Sequence, residues 1–137
     1  MRVLFEEIRF RTARKRELVD LTEEVRSIVG RWNVRDGILL VFAPHATASL
    51  VLNENEEGLV KDILELFERL IPEGAGYAHD RIDDNAHAHL RSSIAKPFVL
   101  IPVREGELVL GTWQRIFFIE HDGPRYERRV VVEYVGT

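Results

Sequence analysis

Apolar and polar positions along this chain divide it into strands and helices with no long break between them. "RVLFEEIRFRT" alternates loosely and predicts an opening strand, and "RELVDLT" predicts a second that returns antiparallel to it. Thr22 is placed to cap a helix: Glu23 and Glu24 suit its first turn, and Val25, Ile28, Val29 and Trp32 recur at three-and-four spacing. After "RDG", the continuous apolar run "GILLVFA" predicts a central strand covered on both faces. "TASLVLNEN" alternates instead, with Thr47, Ser49, Val51 and Asn53 on one face and Ala48, Leu50 and Leu52 on the other. A second helix fits "EEGLVKDILELFERLIP", its apolar face marked by Leu59, Ile63, Leu66, Phe67 and Leu70 and its end by Pro72. "PFVLIPV", "ELVLGTW", "QRIFFIEHD" and "ERRVVVEYVG" then predict four strands joined by short turns. Strands at both ends with two or three helices between them predict one α+β domain over residues 1–137, with a mostly antiparallel, sandwich-like β core.

The stretch "HDRIDDNAHAHLRSS", residues 79–93, holds three of the five histidines. Read as a strand, it lines up Asp83, Asn85, His87 and His89; read as a helix, it is capped by Asp84 and turns His89 toward Ser92 and Ser93, away from His87. Ala86, Leu90 and Ile94 supply an apolar stripe and Pro97 a stop, which favours the helix. No two of these histidines stand four apart, so the segment is not a self-contained zinc helix. A metal would need His45, from "APHATAS", to join His79 and His89, with Asp84 as a fourth ligand or a supporting partner. The plainer alternative is that His45 is a hydrogen-bonded structural residue at a strand end and Asp83 and Asp84 are turn and cap. His121, in "EHDG", is expected to be exposed before a hairpin turn. Asn53, Glu54, Thr112 and Gln114 interrupt apolar segments, so they either satisfy one another or line a pocket, and Gly111 permits a close approach there.

Composition narrows the function classes. At 137 residues, 45% hydrophobic and 31% charged, the chain is an ordinary folded domain with no apolar run long enough for a bilayer. A net charge of -4 argues against general nucleic-acid binding. Without cysteine there is neither a disulfide nor a thiolate, and the charged N-terminus predicts a cytoplasmic protein. Neither "GxxxxGK[ST]" nor "GxGxxG" occurs, so the common phosphate cradles are absent.

Taken together, "HATASLVLNEN", "HDRIDDNAHAHLRSS" and "LGTWQRIFFIE", in that order, resemble the YjbQ family, also called the secondary thiamine-phosphate synthase family. The resemblance spans nearly the whole chain. It implies an α+β fold with a β-sandwich-like core, a homotrimer, and signature positions at His45, Thr47, Ser49, Asn53, Glu54, His79, Asp84, His89, Ser93, Gly111, Thr112, Trp113 and Gln114. His87 matches less well. The implied activity joins a pyrimidine diphosphate to a thiazole phosphate and releases pyrophosphate, with His45, Asn53, Glu54, Asp84, His89, Ser93 and Gln114 as catalytic candidates. A divalent metal, zinc or magnesium, would assist, and Arg81, Arg91 and Arg115 would contact phosphate. Two other readings use the same residues: a metal-assisted hydrolase, and a non-catalytic trimer that binds a small anionic ligand.

Overall fold

In a computed structural model describing residues 1–137, the chain runs β1 (Arg2–Phe10), β2 (Glu17–Asp20), α1 (Thr22–Trp32), β3 (Gly37–Phe42), β4 (Ala48–Asn53) and α2 (Glu57–Leu70). A 3-10 turn (Ala78–Arg81), α3 (Ala86–Ala95), β5 (Phe98–Arg104), β6 (Glu107–Leu108), β7 (Arg115–Glu120) and β8 (Arg128–Gly136) follow. Five strands in the order β1-β8-β3-β5-β6 form one sheet and β2-β7-β4 another, with every pairing antiparallel. This is the α+β, sandwich-like architecture that the patterning predicts. No helix is long and apolar enough to cross a membrane.

The core lies between the sheets. Leu39 and Val41 of β3, Ile101 and Val103 of β5, and Val130, Val132 and Tyr134 of β8 meet Ala48, Leu50, Ile116 and Phe118 of the small sheet, and Val25, Ile28 and Val29 of α1 join the same cluster. α1 begins at Thr22, but Thr22 does not cap it. Asp20 Oδ1 accepts the Thr22 N–H (3.0 Å) and hydroxyl (2.6 Å), while that hydroxyl accepts the Ile116 N–H (2.8 Å) and so ties the helix start to β7.

β3 corrects the expectation of a strand covered on both faces. Its inner residues are buried, but Ile38 is 56% exposed, as is Leu100 beside it on β5. Val3 and Phe5 of β1 and Phe98 of β5 are also exposed, so the outer side of the large sheet is apolar and nothing in the chain covers it. A continuous apolar run reports that both faces are greasy, not what lies on them.

A second layer covers the outer face of the small sheet, where Phe117 and Ile119 are buried beside Ala86 and Ala88 of α3 and Ile71 after α2. α2 contributes half-buried Leu59, Ile63 and Phe67, whereas Leu66 and Leu70, expected on the same face, are exposed. α3 departs further from its pattern. Of the predicted stripe only Ala86 is buried, while Leu90 is 41% and Ile94 63% exposed, and the buried face carries His87, Arg91 and Ser92 as well as Ala86 and Ala88. Arg91 explains the inversion: its Nε and Nη2 both donate to the Ile71 carbonyl, at 3.0 and 2.7 Å, and satisfy a backbone acceptor that the second layer buries.

Where the sheets meet, an ion pair is sealed inside the core. Arg128 Nε donates to Glu120 Oε1 (2.9 Å) and its Nη2 to Glu120 Oε2; Thr12 Oγ1 donates to Glu120 Oε1 (2.7 Å) and the Asp122 N–H to Oε2 (3.1 Å). Arg128 Nη2 also donates to Thr47 Oγ1 (3.1 Å), which gives the buried Thr47 a structural role.

Candidate functional site

Antiparallel pairing of β4 with β7 sets Asn53 opposite Arg115, and this register brings two motifs distant in sequence to one end of the small sheet. There Glu54, Asn55, Glu56, Thr112, Trp113 and Arg115 line an open cleft of about 430 Å³. Trp113 is held up by a tight turn: the Gln114 N–H donates to the Gly111 carbonyl (3.0 Å) and the Gly111 N–H to Gln114 Oε1 (2.8 Å). Gln114 therefore positions Trp113, a residue that is 70% exposed. Asn53 Oδ1 accepts the Glu54 N–H (2.8 Å) and fixes the bend after β4.

Most charges around the cleft are already paired. Arg115 Nε donates to Asp20 Oδ2 (2.8 Å) and its Nη1 lies 3.1 Å from Glu23, and these carboxylates, Asp20 by its hydrogen bond first, raise the guanidinium above its ordinary value. Burial pushes the Asp20 carboxyl up, but bonds from Thr22, Arg115 and Asn55 outweigh it and hold the group below the usual range. Glu56 caps α2 by accepting the Gly58 and Leu59 N–H groups, which lower its carboxyl as well. Glu54 makes no side-chain hydrogen bond or ion pair, and neither does the Thr112 hydroxyl.

The histidine stretch folds at the opposite end of the same sheet. Asn85 Nδ2 donates to Asp122 Oδ2 (3.0 Å), just past β7, which places the stretch near the Ala48–Glu120 pair. Five steps along β4 take the chain from that pair to Asn53, roughly 17 Å of strand. His79 and His89 stand edge to face with ring centroids 4.8 Å apart, and His79 Nε2 takes Asn85 Oδ1 at 3.2 Å. Beside them Tyr77, Ala78, Ala86 and Leu90 complete an almost wholly apolar pocket of about 300 Å³. Asp84 does not cap α3: Asn85 holds the cap position without a side-chain bond to the helix, and Asp80 Oδ1 accepts the Ala86 N–H (3.0 Å). Asp84 is exposed, and the Ser93 hydroxyl donates to the His89 carbonyl one turn back (2.9 Å).

His45 joins neither group. Its Nε2 lies 3.0 Å from the Arg129 carbonyl oxygen and 3.1 Å from the Arg129 nitrogen, so the ring continues the β3–β8 ladder beyond Phe42. Burial, with help from the Arg128 charge, lowers its pKa and favours the neutral ring. Within one chain His79 and His89 meet without His45, and no three His, Cys, Asp or Glu side chains gather to hold a metal ion.

His121 corrects the sequence expectation most sharply. It is buried, Thr47 O accepts its N–H (3.2 Å), its Nε2 is 3.1 Å from Ser49 Oγ, and its ring packs edge-on against Phe67 at 5.0 Å. Burial first, then the charges of Arg91 and Arg128, push its pKa down to about 3. Ser49, on the face of β4 that alternation assigns to it, was the available signal for a polar partner beneath α3. Arg91, expected to contact phosphate, is unavailable because it is bound to Ile71.

The family described as UPF0047 protein YjbQ-like matches residues 6–137. The chain belongs to this family. A YjbQ-like relative from Archaeoglobus fulgidus, called a UPF0047 protein, is 50% identical over 127 residues, covering 93% of this chain and 98% of the relative. The Sulfolobus solfataricus structure, described as a YbjQ-like protein of unknown function, matches with a TM-score of 0.98 and 46% identity over 99% of both chains. A hypothetical protein from Aeropyrum pernix matches with a TM-score of 0.95 and 40% identity, covering 98% of this chain and 99% of that one. The YjbQ-like fold is thus shared by proteins whose descriptions state no activity.

Proposed function

We propose that this protein is a cytoplasmic small-metabolite enzyme working at the Glu54–Trp113 cleft, in the transferase class that joins a pyrimidine diphosphate to a thiazole phosphate. The observation that carries this reading is the meeting of two separate motifs, Asn53–Glu54 and Thr112–Trp113, around an open cleft with an unpaired carboxylate and an exposed indole. Trp113 offers a face on which a flat ring stacks, Glu54 and Thr112 offer hydrogen bonds to its edge, and Asn53 and Gln114 hold those groups in place. The remaining candidates, His79 and His89 with the exposed Arg81, lie at the other end of the sheet. A second copy packed head to tail would bring them to the cleft, which suits a homotrimer whose copies meet over the uncovered apolar surface. Tetrahedral zinc takes at least three protein ligands, and one chain gathers only two imidazoles, so the residues of a single chain do not complete a zinc site.

Glu54→Gln and Trp113→Ala are each expected to lower kcat/KM for thiamine phosphate formation by about tenfold to a hundredfold with the fold intact. Unchanged rates in both variants, measured as product formed from the two phosphorylated substrates, would remove the cleft from the reaction. Leu100→Glu, which puts a charge on the apolar sheet face, is expected to turn a trimer into a monomer by sedimentation; a monomeric wild type would end the trimer reading. One observation favours the alternative of a non-catalytic trimer that binds a small anion: His79 and His89 lie far from the cleft within each chain.

A further inference from the structure

We infer that the Glu54–Trp113 cleft binds a flat organic cation, such as an amidinium or a protonated amino-substituted ring, and that it disfavours phosphate. The inference rests on the cleft being the ligand site and goes further by assigning the charge of what enters it.

Four carboxylates, Asp20, Glu23, Glu54 and Glu56, surround the single guanidinium of Arg115. That guanidinium is held by two of them, so it has little charge left to offer an anion. Glu56 is spent on two backbone N–H groups, and Asn55 Nδ2 donates to Asp20 Oδ2 at 3.0 Å. Glu54 is the one lining carboxylate with no partner, and the one lining aromatic is an indole whose electron-rich face attracts cations. A flat cation with forked N–H donors satisfies both, stacking on Trp113 while pairing with Glu54. Any phosphate on the same ligand must then extend out of the cleft.

The test needs no turnover, so it is independent of the transferase reading: an inactive protein that still selects a cation supports this inference alone. Trp32 and Trp113 are the only tryptophans, so Trp113 emission is read in a Trp32→Phe background with three probes of one shape: benzamidine, benzamide and benzoate. Benzamidine is expected to quench saturably and to bind at least about tenfold tighter than benzamide, with benzoate weakest, and Glu54→Gln should remove that preference. Titration calorimetry of the wild type beside Trp113→Ala reads the same order should Trp32→Phe fail to fold. Benzoate or pyrophosphate binding as tightly as benzamidine, cation selectivity surviving Glu54→Gln, or no saturable binding of benzamidine would each overturn the assignment.

Discussion

Replacing Glu120 by Leu is expected to cost about 3–5 kcal/mol, because it leaves the Arg128 guanidinium buried without its counter-charge. For a chain of this size that is a fall in Tm of roughly 10–17 °C. Glu120 is wholly buried and takes hydrogen bonds from Arg128, Thr12 and the Asp122 N–H, so its removal strands donors on three segments at once. Arg128 also lies over the Phe118 ring, 5.9 Å from its centroid, which fixes it where water cannot follow. Adding Arg128→Met to the Leu variant should recover much of the loss, since a pair replaced by apolar groups need not be destabilising. Urea melts of both variants make the check. A single Leu variant within about 1 kcal/mol of wild type would mean that the pair is hydrated in solution.

Acid should destabilise the fold well above the range in which carboxylates titrate. The folded His121 stays neutral down to about pH 3, whereas the unfolded chain protonates it near its ordinary 6.5. Between those values the unfolded state binds more protons, so stability is complete above pH 6.5 and falls as pH drops toward 3, by up to about 1.4 kcal/mol per pH unit for this one group. His45 and His87 are shifted down by burial as well and act with the same sign. The lowered carboxyls of Asp20, Glu56, Glu73 and Asp122 add to the loss only lower on the scale. His121→Gln, which keeps a polar partner for Ser49, is expected to flatten the stability profile between pH 6 and 5. If both proteins lose stability equally over that interval, His121 takes up its proton without unfolding.

Sheet topology was legible wherever one face is dry and the other wet. β8 alternates buried and half-buried along most of its length, whereas β4 is covered on both faces at Ala48, Ser49 and Leu50 although "TASLVLNEN" alternates. The meeting of Asn53–Glu54 with Thr112–Trp113 was half legible, since both motifs sit at strand ends, but the register that joins them is a long-range choice. α3 shows where spacing fails. Its length and stop follow from Pro97, yet the rule that apolar residues face inward put Leu90 and Ile94 in the core and left out Arg91. The partner that lets Arg91 go inside, the Ile71 carbonyl, lies 20 residues away. His121 is the same case, as Ser49, its partner across the sheet, is 72 residues distant. His45 was placed correctly at the end of β3, but a ring standing in for backbone in a ladder leaves no mark on periodicity.

The pairing of β1 with β8 orders events during synthesis. β1 is made before every other strand, and its sole partner, β8, after all of them. β8 also fills the place between β1 and β3, so the large sheet lacks that strand until β8 has been made, while β3, β5 and β6 can already pair. Through that interval β1 waits as an unpaired edge carrying Val3 and Phe5, a segment for which a nascent-chain chaperone would compete.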